Sequence, residues 1–374
     1  MKVLFPVEYF YPSLIDGKGS SIYNLTKALS KVNLEINIIS SPKGVNLNDT
    51  SFDQLYEKYN LDVSFINESF FSHFSFNIID KVRSSDVVHF SSFFYKLTIW
   101  YFFLAFIFNK KIVISPRGEF YEPALRRKKR IKNIYINFFK FFQKKINFHS
   151  TNDLEKEIIR NFFPKSFINT IPNLIDIDPP LNFKKNNEIL FLGRINPIKN
   201  IDILIKAYNQ LPIALKDKFK LIIVGEAYLE YEKKYLIKLK KLVNELNLFD
   251  NVTFLGPKYG INKFKILSKS YCLVLPSKSE NFGNVVLEAI SQKTPVITSK
   301  NTPWEILIKH NSGYWVDASV KSIKDALINL ISLDKKKYTS LQDSALKLIN
   351  KKFGYDKNIS LWKKYYNKIN RKLH

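Results

Sequence analysis

Residues 279–289, SENFGNVVLEA, place two carboxylates, Glu280 and Glu288, on either side of Phe282-Gly283-Asn284 and an apolar run. A helix that begins at such a glycine offers backbone N–H groups without intrahelical partners. With the positive end of the macrodipole these make an anion site. Gly283 also removes a Cβ where phosphate would need close approach. At ~100° per residue, eight positions come nearly full circle twice, so both glutamates are expected to face one ligand from different depths. A second constellation is Phe191-Leu-Gly193-Arg194-Ile-Asn-Pro-Ile-Lys199, where two cations just past a strand-like run can clamp a diphosphate. A third is Asp16-Gly17-Lys18-Gly19 after the first apolar run, a loop suited to phosphate, although a dinucleotide fingerprint would want glycine where Ile22 stands. Read one at a time, these stretches are equally an acidic helix start, two solvated cations and a plain strand-to-helix turn.

Positioning them requires a scaffold. Strand-like runs at 2–7, 35–40, 86–90, 111–116, 147–151 and 167–172 alternate with helical patterns such as 21–31. After the polar stretch 181–188 the pattern restarts, with strands at 189–194, 219–226, 251–256, 272–277 and 294–299 and helices at 201–211, 229–246 and 285–292. Such alternation predicts βαβ units in two doubly wound parallel-sheet domains, with ligands at the carboxyl ends of the strands and a cleft between the domains. The expected boundaries are 1–180, 181–352 and a final amphipathic helix, 353–374, packing back on the first domain. A chain of 374 residues suits two domains of roughly 150–200 residues.

Composition narrows the partners. With 59 Lys and Arg against 33 Asp and Glu the formal charge is +26, which fits nucleic acid, an anionic membrane or phosphorylated small molecules. With 45% hydrophobic residues the chain can bury a large core, which excludes disorder as its general state. Cys272 is the single cysteine, so no internal disulfide forms; it lies in an apolar run and reads as a buried strand residue in a reducing compartment. The first ten residues enter a strand without a leader pattern. The apolar run Leu97–Phe108 is shorter than the ~20 residues that span a bilayer and predicts a buried or interfacial helix. The run Arg126–Arg130 and the aromatics Tyr135 to Phe142 that follow it, interleaved with lysines, suit an anionic bilayer or a solvated basic face.

Taken together the motifs resemble the retaining glycosyltransferases of family 4, the glycosyl transferases group 1, which have the GT-B fold of two Rossmann-like domains facing each other across a cleft. ENFGNVVLEA is similar to that family's Glu-x7-Glu signature, FLGRINPIKNIDILIKAY to its FxGR element, and LIIVGE, VTFLG, LPSKS and TPVITS follow in family order. YPSLIDGKGSSIYNLTKAL resembles its glycine loop, and ISPRGEF with TIPNLIDI one of its branches. The resemblance implies that Arg194 and Lys199 neutralise the leaving diphosphate, and that backbone groups near Phe282, Gly283 and Asn284 hold donor phosphate or sugar. Glu280 would meet sugar hydroxyls and Glu288 the ribose. Gly17 and Lys18 would close over the diphosphate, with Gly193, Gly225 and Asn281 completing the donor set. The catalytic set implied is Glu280, Arg194, Lys199 and Arg117, with His89 and Arg117 on the acceptor side.

Two positions depart from the family pattern: Arg117 stands where many members have histidine, and Asp16-Gly17 where Gly-Gly is usual. Asp176-Ile177-Asp178 is formally a DxD, but no His/Asp/Glu cluster has ligand spacing, so no metal or other cofactor is expected. The expected activity is transfer of a sugar, with retention, from a UDP- or GDP-linked donor to a glycan. The acceptor would be an undecaprenyl-diphosphate-linked oligosaccharide, as in bacterial surface polysaccharide synthesis. The enzyme would be cytoplasmic, peripheral to the inner face of the membrane, and would bind no nucleic acid. The rival readings are a nucleotide-sugar epimerase on the same scaffold and a basic nucleic-acid-binding protein.

Overall fold

The computed structural model describes every residue except 13–16, 49–51, 68–69, 176–179 and 372–374, and only the backbone of 17, 18, 20, 70 and 71. Asp16 and the Asp176-Ile177-Asp178 stretch therefore lie outside the described residues. The chain divides into two compact units, residues 1–176 with 355–374, and residues 177–354.

In the first unit seven strands, β1 (Lys2–Val7), β2 (Glu35–Ser40), β3 (Leu61–Phe65), β4 (Val87–Phe90), β5 (Lys111–Ile114), β6 (Ile146–Ser150) and β7 (Phe167–Thr170), form one sheet. Their order is β3-β2-β1-β4-β5-β6-β7 and every pairing is parallel. Both faces are covered: Val3, Phe5 and Val7 enter one core and Leu4 the other. Burial on both sides is why β1 reads as an unbroken apolar run. The helix Tyr355–Arg371 closes one of these cores with Ile359, Trp362, Tyr365, Tyr366 and Ile369.

The second unit holds β8 (Glu188–Leu192), β9 (Lys220–Val224), β10 (Val252–Phe254), β11 (Cys272–Leu275), β12 (Val296–Ser299) and β13 (Tyr314–Val316). Their order is β10-β9-β8-β11-β12-β13, again all parallel. The chain runs outward from β8 through β9 to β10, then returns to the other side of β8 at β11. That reversal makes a topological switch point between β8 and β11, and in doubly wound sheets the crevice outside the carboxyl ends of such strands is where ligands bind. In the first unit the same reversal falls between β1 and β4.

Helices span Ile201–Asn209, Glu230–Glu245 and Asn284–Ser291, the first two inside the ranges expected from periodicity and the third one residue earlier. The run from Leu97 forms the helix Thr98–Ile107, which buries Tyr101, Phe102, Leu104 and Ala105 and leaves Ile107 69% exposed. Among the described residues no helix is long and apolar enough to cross a membrane. Cys272 is fully buried at the start of β11, and burial pushes its thiol up to about 12, the protonated, unreactive form.

Candidate active site

The switch point of the second unit gathers most of the candidate residues. Past β8 the chain turns through Gly193 and Arg194 to a short 3-10 turn, Pro197–Lys199, which Asn196 caps by accepting the Ile198 N–H at 3.0 Å. Past β11 it runs through Pro276 and Glu280 to Gly283. Three links hold these two loops together. The Lys278 N–H donates to the Ile198 carbonyl at 2.8 Å, the Asn200 amide donates to the Pro276 carbonyl at 3.2 Å, and Lys199 pairs with Glu280. The Ser277 hydroxyl donates to the same Glu280 oxygen at 2.8 Å.

Arg194 is held equally firmly. Its Nε lies 2.7 Å from Glu232, a carboxylate with no exposed surface, and its guanidinium sits 5.6 Å from the centre of the Tyr228 ring. Glu232 did not figure among the sequence candidates, yet it organises this side of the site. One oxygen takes Arg194 and the Asn196 amide, the latter at 2.6 Å; the other accepts the N–H groups of Tyr228 and Leu229 at 3.0 and 3.1 Å. Burial pushes the carboxyl upward, but the Leu229 N–H, Arg194 and Asn196 together outweigh it and hold Glu232 below the usual range. Its one sequence signal was its place three residues into the helix Glu230–Glu245, where a glutamate reaches back to the N-cap backbone.

Glu288 pairs with Lys263 at 2.7 Å, a lysine on the helix Gly260–Lys269 that the sequence reading also passed over. So the three cations here, Arg194, Lys199 and Lys263, each already have a carboxylate. Each of the three is thus a preorganised charge pair. The helix starts at Asn284 and Glu280 sits on the loop before it, as expected, and the two carboxylates hold different lysines.

Gly283 has φ +78°, and a Cβ there would stand 3.3 Å from Trp304 Nε1 and 3.4 Å from Leu275 Cδ2. The Trp304 indole donates to the Phe282 carbonyl at 2.6 Å, and the Phe282 ring packs on Trp304 and Phe353, so only backbone is left to Phe282 for a ligand. Asn281 and Asn284 flank this cap on the same segment. At Gly225 a Cβ would lie 1.8 Å from the Gly193 carbonyl oxygen; the missing side chain lets the ends of β8 and β9 come together.

In the first unit Gly17 is the first residue of the helix Gly17–Ser30, which follows the loop after β1; the Lys18 side chain lies outside the described residues. Arg117 follows β5 with φ +51°, in the left-handed region that a non-glycine residue adopts only under constraint. It is 8% exposed and donates to the Asn173 side-chain oxygen at 3.2 Å. Gly118, next in line, donates its N–H to the buried Glu155 at 2.7 Å, and Glu119 accepts the N–H groups of Phe93 and Phe94 past β4. Burial pushes Glu155 upward.

His89 is not on a ligand-facing surface, contrary to the expected acceptor contact. It has no exposed area, and both ring nitrogens are taken, by Tyr366 at 2.6 Å and Ser115 at 2.7 Å. Ser115 in turn bonds His149 at 2.8 Å. Burial, then the neighbouring charges His149 and Arg117, hold His89 well below its ordinary value, and burial, then Arg117, pushes His149 down to about 3. Because both folded values lie below the ordinary 6.5, the unfolded chain takes up these protons first on acidification. Their contribution to stability is whole above pH 6.5 and is lost as the pH falls. Denaturant unfolding should therefore show a loss of about 2 kcal/mol per histidine on going from neutrality to about pH 5. A His149→Asn variant should show a shallower slope, and a flat wild-type profile over that interval would mean that the histidines are charged inside the fold.

The first unit also carries an unusual surface. On the helix Lys129–Phe141, Ile131 and Ile134 are 63% and 71% exposed and Phe141 is 86% exposed. With partly buried Phe138 they form a stripe at helical spacing, next to exposed Phe103 and Phe106 of the helix Thr98–Ile107. Exposed Arg127, Lys128, Lys129, Arg130 and Lys140 surround it. The expected aromatic stripe is thus only partly the exposed one, since Phe139 is buried.

Residues 175–347 match the family described as glycosyl transferases group 1. An uncharacterised glycosyltransferase of Methanocaldococcus jannaschii, MJ1059, is 32% identical over 220 residues, 53% of this chain and 51% of its own length. The O-antigen chain mannosyltransferase RfbU of Salmonella typhimurium is 34% identical over 151 residues, 40% of each chain. The chain spans about half the length, or less, of these curated relatives. In three dimensions the likeness is wider. Anabaena Alr3699/HepE, solved in complex with UDP-glucose, superimposes with a TM-score of 0.79 over 98% of this chain and 100% of its own, at 17% identity. That likeness is one of fold, and the fold is GT-B: two parallel-sheet, Rossmann-like α/β domains.

Proposed function

Because residues 175–347 carry glycosyl transferases group 1 sequence on a GT-B fold, we propose that the protein is a family 4 glycosyltransferase that moves a sugar from a nucleotide diphosphate to a glycan with retention. The observation that carries this reading is the pairing of Lys199 with Glu280 across the β8–β11 switch point, beside the helix that Gly283 opens. As the bond from the anomeric carbon to the diphosphate oxygen breaks, negative charge develops on the β-phosphate. Arg194, Lys199 and the N–H groups at Gly283 and Asn284 meet that charge with dipoles and cations already in place. The acceptor hydroxyl attacks from the face the diphosphate leaves, and its proton passes to the departing phosphate oxygen. Glu280 accepts a hydrogen bond from a sugar hydroxyl, Glu288 from the ribose, and Arg117 serves the acceptor side. No metal is required in this reading, because the cations are side chains.

The donor is a UDP- or GDP-linked sugar. UDP-glucose in the Anabaena neighbour and the mannosyltransferase activity named for the Salmonella relative support that class. The acceptor is a lipid-linked oligosaccharide, and the basic apolar stripe along Ile131, Ile134 and Phe141 rests on the anionic inner face of the membrane that displays it. Purified protein should release nucleoside diphosphate only when donor and acceptor are both present, unaffected by chelator, and the product's anomeric proton should keep the donor's configuration. Epimerisation of free donor without acceptor would contradict the reading. Vesicles containing phosphatidylglycerol should sediment the protein, at least tenfold less so after Ile134→Glu with Phe141→Glu, since each insertion removes apolar contact with lipid. Equal sedimentation of both proteins would dismiss the stripe.

A further inference from the structure

The buried hydrogen-bond chain of the first unit runs one way only. His149 Nε2 lies 2.8 Å from the Ile171 carbonyl oxygen, which can only accept, so Nε2 carries the proton and Nδ1 of this neutral ring accepts from the Ser115 hydroxyl. Ser115 oxygen then accepts from His89 Nε2, which leaves His89 Nδ1 to accept from the Tyr366 hydroxyl. One backbone carbonyl thereby fixes both histidine tautomers and both hydroxyl orientations. All five residues are at most 1% exposed.

The chain's route is informative. Ser115 stands two residues before Arg117, and Ile171 two residues before Asn173, whose side-chain oxygen accepts from Arg117 at 3.2 Å. The strand end that leads into Arg117 and the segment that carries its partner Asn173 are thus tied into one polar line that starts on the helix Tyr355–Arg371. Docking that helix needs no such line, since Trp362, Tyr365 and Ile369 already bury apolar surface there, and a buried polar chain is costly unless every member is satisfied. We propose that Tyr366 is a positioning residue: through His89, Ser115 and His149 it sets the geometry of the Arg117 loop. That Arg117 then acts on substrate rests on the transferase reading above.

Tyr366→Phe keeps the ring and removes only the donor, which leaves His89 Nδ1 buried without a partner. Amide hydrogen exchange of residues 115–119 should quicken about tenfold, the effect of losing one buried hydrogen bond. Ser115→Ala, which cuts the chain at its centre, should loosen the same loop while exchange in 355–371 stays as in the wild type. Faster exchange confined to 355–371 in Tyr366→Phe would overturn the proposal and leave Tyr366 a docking residue. Turnover supplies the second readout. Tyr366→Phe should lower it about tenfold in the wild-type background and not at all beside Arg117→Gln, because residues that act as a unit do not add. A loosened loop with an additive loss of turnover would support the coupling and sink only the role of Arg117 in transfer.

Discussion

Replacing Lys199 with alanine should lower transfer by about 10²- to 10³-fold while the protein still folds, the loss expected when one preorganised donor to a developing oxyanion is removed. The side chain is 21% exposed and ends at Glu280, so its removal opens no core cavity. The comparison that separates charge from shape is Glu280→Gln. Glutamine keeps the volume and an oxygen that accepts from Ser277, but removes the negative charge that pairs with the lysine. Free nucleoside diphosphate should then bind more tightly than to the wild type, because Lys199 no longer shares its protons with a carboxylate. Transfer should fall, because the sugar hydroxyl exchanges a charged acceptor for a neutral, weaker one. A rise in both would mean that Glu280 only restrains the lysine. Steady-state kcat and KM together with product affinity measure all three quantities.

Gly225→Ala should be nearly as damaging, by a different route. The new Cβ would lie 1.8 Å from the backbone oxygen of Gly193, and backbone cannot swing aside as the tip of a lysine can. Either the β8 loop that carries Arg194 and Lys199 moves, or the ends of β8 and β9 part. Donor affinity should fall more than a hundredfold, with a destabilisation of about 1–3 kcal/mol from overpacking. Gly193→Ala is the control: its φ of +158° carries the same backbone strain as the +156° of Gly225, but a Cβ there meets nothing closer than Phe191 Cζ at 3.6 Å, so the difference between the two variants isolates the clash. Donor titration and denaturant unfolding of the two variants compare them directly. Equal tolerance would mean that the approach of these strands does not shape the site.

Much of this architecture was legible in the residues, for a physical reason. Strands buried on both faces, such as Val3 to Val7 and Leu273 to Leu275, are unbroken apolar runs that polar surface cannot imitate. The two strands missed by the sequence reading, β3 and β13, lie at sheet edges. LDVSF alternates apolar and polar because part of it meets water, and YWV is too short to register. The site was half legible. Arg194, Lys199 and Glu280 stand out because they follow strands, and Glu288 because it closes the Glu-x7-Glu pattern, whereas Glu232 and Lys263 sit inside helices among many solvated charges. In EYEKKY only its place at the third helical position marks the glutamate that is wholly buried. Ser277 and Lys199 hold the loop that carries Glu280 ahead of the helix that starts at Asn284. His89 looked like a site residue for the same reason as Arg194, its place at a strand end. Its partners, Ser115 and Tyr366, are 26 and 277 residues away and carry no local signal.

The central claim is that the second unit recognises a nucleotide-diphosphate sugar through Lys199, Arg194, Glu280 and Glu288. Its most direct test is the thermal midpoint of the protein with UDP-, GDP- and ADP-linked sugars, repeated on Lys199→Ala and Glu288→Gln. One donor class should raise the wild-type midpoint by several degrees, since ligand at a hundred times its Kd adds about 2.7 kcal/mol, and both variants should lose most of that shift. A wild type that no donor stabilises, or variants that are stabilised as fully as the wild type, would contradict the account.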